Sequence, residues 1–171
     1  EPPMLLTALS EQRRSFNDVQ VAQTLPLRKF GYFDPETVRH VRHLSYFFSS
    51  ASRPGGQEGW IDFVPAYFYE VPILIERGLS RADVVFAMAS EMDEHGYFSL
   101  SRKARAVVLE VNPNVPYANG NCLVHVSQVS ALVESDEPIL EVGLPKIEPV
   151  QEAIGKYVAD LVADGATLQI G

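Results

Sequence analysis

Residues 60–89 read WIDFVPAYFYEVPILIERGLSRADVVFAMA. Trp60 to Tyr67 is dense in aromatic and β-branched residues, the composition of a buried strand. Glu70 to Arg77 follows as a short helix closed by Gly78, and Ala82 to Ala89 is an almost wholly apolar run of strand length. A strand, a helix and a second strand in this order predict one βαβ unit. Strands apolar throughout predict an α/β domain, with an open, mainly parallel sheet covered by helices on both faces.

The alternation continues outward from this stretch. Upstream, Ser52-Arg53-Pro54-Gly55-Gly56 reads as a loop, and Asp34-Pro35 as an N-cap opening a short helix through His40 and His43. Asp18 to Leu25 reads as a strand ended by Pro26, and Pro2 to Arg14 as a helix with Leu5, Leu6 and Leu9 on one side. Downstream, Tyr97 to Leu100 and Ala106 to Val111 read as strands, the second stopped by the turn Asn112-Pro113-Asn114. Ala131 to Glu134 reads as a further short strand. The strongest helical pattern puts Val150, Ile154, Tyr157, Val158, Leu161 and Val162 on one face, starting at Pro149 and stopping at Gly165. Ala166 to Ile170 is then expected as a strand leading to Gly171.

A chain of 171 residues with 46% hydrophobic and 21% charged residues can bury one substantial core. Its formal net charge of -8 offers nothing to draw in a polyanion at long range, so nucleic acid is not an expected partner. The single cysteine, Cys122, permits no intrachain disulfide and fits a reducing cytoplasm. No apolar run reaches the roughly 18 residues of a membrane span, so no membrane partner is expected.

Only Ser101 to Arg105 separate the strands expected at Tyr97–Leu100 and Ala106–Val111. That is too short for a parallel crossover, which needs about a dozen residues. Either the two strands form an antiparallel hairpin or residues are absent between Leu100 and Ser101. Absence is the reading adopted, because Ser101 to Arg105 holds no Gly, Asn or Asp to make a tight turn. Further residues are expected after Gly171, since a strand ending in a bare glycine points to a binding loop beyond it.

Among residues able to carry chemistry, Asp93, Glu94 and His95 crowd into a turn after the Ala82–Ala89 strand, at the end where ligands of such sheets bind. A histidine beside two carboxylates can serve as a general base or help bind a metal; the preferred reading is a solvated turn in which Asp93 accepts backbone N–H bonds and Gly96 supplies positive φ. His40 and His43 could share a metal on a helix, and Cys122 with His125 could form a thiol and base, but surface histidines and a buried cysteine explain them as well. Glu70, Glu110 and Glu134 sit near apolar runs without standing out.

Several stretches, taken in order, resemble the acetyl-CoA hydrolase/transferase family that includes 4-hydroxybutyrate CoA-transferases. They are Asp62-Phe63-Val64-Pro65, Asp93 to Leu100, Glu110 to Pro116, His125-Val126-Ser127, Glu148 to Gly155 and Asp164 to Gly171. The resemblance implies that residues 1–171 form part of the N-terminal CoA-transferase domain, of NagB/RpiA-like fold and incomplete here, with an earlier strand and Gly-rich turn expected before Glu1. It implies CoA transfer between an acyl-CoA and a small carboxylate through a glutamyl-CoA thioester, on a glutamate outside this chain. No residue here then takes the catalytic role. Gly171 would begin the CoA-contacting loop, and Asp93, Glu94, His95, Asn112 and Asn114 would shape the first domain's side of the cleft. CoA would be substrate and covalent intermediate with no permanently bound cofactor or metal, and the assembly is expected to be a homo-oligomer. Three other readings stand beside it: an acyl-CoA hydrolase, a complete non-catalytic α/β binding domain, and a metal hydrolase built on His40, His43 and His95.

Overall fold

The computed structural model describes residues 1–99 and 106–169. Its chain forms two compact units, Glu1–Ile139 and Leu140–Gly171. The first opens with helix α1 (Pro3–Glu11) and strand β1 (Val19–Gln23), both where the apolar spacing places them. Next come strand β2 (Val41–Ser45), helix α2 (Arg53–Glu58), strand β3 (Ile61–Phe63), helix α3 (Glu70–Glu76) and strand β4 (Val84–Ala89). Strands β5 (Tyr97–Ser99), β6 (Ala106–Val111), β7 (Leu123–His125) and β8 (Ala131–Glu134) complete it.

The α/β class holds, but the sheet is divided. One parallel sheet has the order β1-β2-β3 and another β4-β6-β8, while β5 and β7 make a separate antiparallel pair. Thus β3 and β4 flank a helix without sharing a sheet, and the expected single βαβ unit is not formed. Its first strand is held elsewhere: His43 registers against Ile61, and Arg42 of β2 pairs with Asp62 of β3. That strand is also shorter than expected, because Pro65 has no N–H to extend the ladder. Beyond it Tyr67, Phe68 and Tyr69 are exposed.

The first sheet packs on a cluster of Leu6, Phe30, Tyr32, Phe33, Val41 and Ile61, joined by Phe86 of β4. The second packs on Ala89, Phe98, Val107, Leu109 and Val124. Each fully buried side chain of the size of Val or Leu, such as Val107 and Leu109 of β6, contributes about 1.5–3 kcal/mol.

Two local expectations fail for identifiable reasons. Residues 53–58 are helical rather than a loop: Pro54 suits a first turn, and the glycines answer close packing, not a bend. A Cβ on Gly55 would lie 2.5 Å from Ile61 Cδ1, and one on Gly56 would lie 2.3 Å from the Phe48 ring. The Asp34-Pro35 cap is real, with Asp34 Oδ1 accepting the Glu36 N–H, yet it opens only a 3₁₀ turn, Pro35–Thr37. His43 then lies in β2 and is buried, so no helix carries His40 and His43 together.

The hairpin alternative is excluded, because β5 pairs with β7 whereas β6 pairs with β4 and β8. The Leu100–Ser101 junction itself lies outside the described residues.

The second unit contains helix α4 (Pro149–Ala159), stabilised at its start by Gln151 accepting the Glu148 N–H at 2.8 Å and along its side by Glu152–Lys156 at 3.0 Å. It ends before Gly165, as the i to i+3 bonds of Leu161 and Val162 tighten the last turn. Its apolar residues Ile154, Tyr157 and Val158 are exposed. Residues 166–169 form no strand, since a strand needs a ladder partner and none of the described residues pairs with them. No helix of the described residues is long and apolar enough to cross a membrane.

Candidate functional site

Parallel pairing brings the carboxyl ends of β4, β6 and β8 level, with Ala89 opposite Val111 and Val111 opposite Glu134. The loops leaving these strands therefore share one edge, the usual ligand-binding edge of an open α/β sheet. They border an open cavity of about 440 Å³ lined by the apolar Met4, Val111 and Pro113 and the polar Glu91, Glu134, Ser135 and Asp136.

Asn112 and Asn114 are brought together under this edge. Asn112 is fully buried; its Oδ1 accepts the Asn114 N–H at 2.8 Å, and its Nδ2 donates to the Glu137 carbonyl at 2.8 Å. Asn114 Nδ2 donates to the Asp136 carbonyl at 3.1 Å. Both side chains thus clamp the exit of β8, which satisfies buried polar groups that would otherwise be costly.

Asp93, Glu94 and His95 form the turn between β4 and β5. Asp93 Oδ1 accepts the His95 and Tyr97 N–H groups at 2.9 and 2.8 Å, and Oδ2 accepts the Tyr117 hydroxyl at 2.7 Å. The Tyr97 amide, followed by the Tyr117 hydroxyl, holds the Asp93 carboxyl below its ordinary pKa; the same bond to Asp93 raises the Tyr117 phenol. Gly96 has φ of 82°, as the turn reading requires, and a Cβ there would also lie 3.1 Å from His125 Nε2. Glu94 and His95 stand at the exposed tip with Oε1 and Nε2 3.6 Å apart. Tyr117, from the loop that follows Asn114, ties this turn to the loop after β6. Nothing in the spacing marks it as a partner of Asp93.

The remaining candidates do not assemble. His40 Nδ1 bonds the Phe16 carbonyl at 2.7 Å, while His43 is buried against Tyr32 and Phe33, with ring centroids 5.9 and 4.4 Å away. Burial lowers the His43 pKa to about 4, an effect that the Val21 backbone only partly opposes, and neither ring nitrogen makes a hydrogen bond of proper geometry. Among the described residues no group of three or more His, Cys, Asp or Glu could hold a metal ion. Cys122 Sγ bonds the Ala118 carbonyl at 3.4 Å, whereas His125 Nδ1 meets Ser127 Oγ at 2.8 Å, so each has its own partner. Gly171 lies outside the described residues. Glu110 is the residue that pattern reading named without singling out: it is fully buried, one residue before the end of β6. A lone carboxylate inside an apolar strand was its only signal.

Residues 1–142 match the model of the acetyl-CoA hydrolase/transferase N-terminal domain. Over its whole length the chain is 41% identical to the succinyl-CoA:cyclohexane-1-carboxylate CoA transferase of Geobacter metallireducens, covering 41% of that protein. It is likewise 34% identical to the 4-hydroxybutyrate coenzyme A transferase of Clostridium kluyveri, covering 42%. The chain thus spans less than half the length of these relatives. RipA from Yersinia pestis matches the entire chain with a TM-score of 0.88 at 30% identity, over 44% of its own chain. A 4-hydroxybutyrate CoA-transferase from Porphyromonas gingivalis matches 99% of it with a TM-score of 0.67 at 29% identity, over 41% of its own chain.

Proposed function

The chain belongs to the acetyl-CoA hydrolase/transferase family, and from that membership we propose that the enzyme carrying it moves coenzyme A between an acyl-CoA and a small carboxylate. The observation that carries this reading is the 41% identity, spread over every residue of the chain, to a protein named as a CoA transferase.

In the proposed reaction a glutamate outside this chain attacks the thioester carbonyl, and CoA leaves as the thiolate. The resulting acyl-glutamyl anhydride is attacked by that thiolate at the glutamyl carbonyl, which releases the first carboxylate and leaves a glutamyl-CoA thioester. An acceptor carboxylate then reverses both steps. Such chemistry needs a nucleophilic carboxylate and fixed donors for each oxyanion, with CoA as substrate and no resident cofactor. The loops bearing Asp93, Glu94, His95, Asn112 and Asn114 form this domain's side of the cleft, and Gly171 begins the CoA-contacting loop. Cytoplasmic location and a homo-oligomeric assembly complete the proposal.

The family description also covers hydrolysis, in which water replaces the acceptor. The experiment separating the two is an assay of the full-length enzyme on acetyl-CoA with and without a carboxylate such as butyrate or 4-hydroxybutyrate. Acceptor-dependent formation of a new acyl-CoA supports transfer. Release of free CoA at a rate indifferent to acceptor would assign hydrolysis instead.

A further inference from the structure

Helix α1 begins without the means to cap itself. Pro2 and Pro3 have no N–H, and Pro2 as N-cap residue offers no side-chain acceptor, so Met4 and Leu5 carry the free N–H groups of the first turn. The missing acceptor comes from the sheet: Glu110 Oε2 accepts the Leu5 N–H at 3.1 Å across 105 residues of sequence. A carboxylate oxygen also suits the positive end of a helix dipole. Glu110 Oε1 is buried without a partner, a costly arrangement that an apolar side chain would avoid if filling space were the whole task.

The bond has a definite geometric consequence. The N–H that Glu110 accepts belongs to the Met4–Leu5 peptide, and Met4 lines the cavity at the strand edge. On the other side of the bond, the residue after Glu110 is Val111, which lines the same cavity. One hydrogen bond therefore links the two segments that bring Met4 and Val111 to the cavity.

We propose that Glu110 is a positioning residue, holding the Met4–Leu5 peptide so that Met4 stands beside Val111 in the cavity wall. Its kinetic consequence rests on the reading of the cavity as part of a CoA-transfer site: a displaced wall weakens capture of the acyl-CoA while the chemical step, performed elsewhere, is preserved.

The test compares Glu110→Ala, Glu110→Gln and Ser10→Ala in the full-length enzyme. Ser10 bonds the Leu6 carbonyl and the Gly31 N–H at the other end of α1, so its loss reports general weakening of that helix. Glu110→Ala is expected to raise KM for acetyl-CoA about fivefold with kcat within about twofold. It should also speed amide exchange in the peptide covering the first turn of α1 by about tenfold. Glu110→Gln keeps a carbonyl acceptor and should restore both quantities most of the way, whereas Ser10→Ala should lower thermal stability without changing KM. If Glu110→Ala merely lowers stability as Ser10→Ala does, with KM and first-turn exchange unchanged, the proposal is overturned. It also fails if Gln is as damaging as Ala, because the hydrogen bond to Leu5 would then not be the operative contact. Should the Ala variant not fold, the Gln variant decides alone: near-native exchange and KM support the tether, and losses in both overturn it. A wild-type enzyme without CoA transfer would refute the functional reading only, since the exchange comparison still judges the tether.

Discussion

Tyr117 donates its phenolic hydrogen to Asp93 Oδ2 at 2.7 Å, joining the loop after β6 to the turn after β4. Asp93 is the acceptor in every hydrogen bond its carboxylate makes here, so its ionised form is the one these contacts favour. Tyr117→Phe removes one of them. The Asp93 carboxyl should then titrate closer to the ordinary value of 3.8, and the upward shift should be visible by NMR titration. Because the folded pKa is depressed, the turn's contribution to stability is present above 3.8 and fades as pH falls through the folded value. An unchanged Asp93 titration in the variant would contradict this.

His43 predicts acid sensitivity of the same sign in a higher pH range. Its folded pKa of about 4 lies below the ordinary 6.5, so the unfolded chain binds the proton more readily and stability drops as pH falls between those values. The whole penalty is roughly 3 kcal/mol by the conversion of 1.36 kcal/mol per pKa unit. Thermal unfolding of wild type and His43→Leu from pH 7 to pH 4 should show a shallower decline in the variant. Parallel curves would mean that His43 is not the group responsible.

Close packing around α2 makes Gly55 sensitive to a single methyl group. With Ile61 Cδ1 2.5 Å from the position of a new Cβ, and Trp60 Nε1 2.7 Å away, Gly55→Ala must shift these side chains or the helix itself. Overpacking of this kind costs about 1–3 kcal/mol, readable by chemical denaturation. Stability equal to wild type would show that the side chains move aside freely.

Arg42 and Asp62 make a two-point ion pair between β2 and β3, in which Arg42 Nη2 donates to Asp62 Oδ1 at 2.6 Å. Both side chains are about two-fifths exposed, so solvent screens the attraction. A double-mutant cycle with Arg42→Ala and Asp62→Ala should give a coupling of about 0.2–1 kcal/mol at neutral pH. The bond to Arg42 depresses the Asp62 pKa, so the coupling should vanish as pH falls below the ordinary 3.8 and through the folded value. Coupling that persists in strong acid would assign it to packing.

These elements also show where pattern reading succeeds. The runs at 84–89 and 106–111 are legible because a continuous apolar run of strand length marks a parallel strand, Glu110 alone interrupting the second. Strand β2 is not, because the residues it turns inward include His43 and Ser45, while Arg42 faces Asp62. Helix α2 was hidden by Gly55 and Gly56, whose spacing says turn but whose surroundings demand the absence of a Cβ. At the site, the Asp93–Gly96 turn was legible because its hydrogen bonds are mostly local. Glu110 was not, because its partner Leu5 is 105 residues away and no periodicity links them.

The clamp made by Asn112 and Asn114 has a consequence for kinetics of association. Immobilising a side chain when a ligand arrives costs about 0.5–1.5 kcal/mol, and loops that must rearrange slow capture. Here the rotors of both asparagines are already frozen against the carbonyls of Asp136 and Glu137. That ordering is completed in folding, so a molecule docking at this edge meets a preorganised floor and loses little further conformational entropy from it.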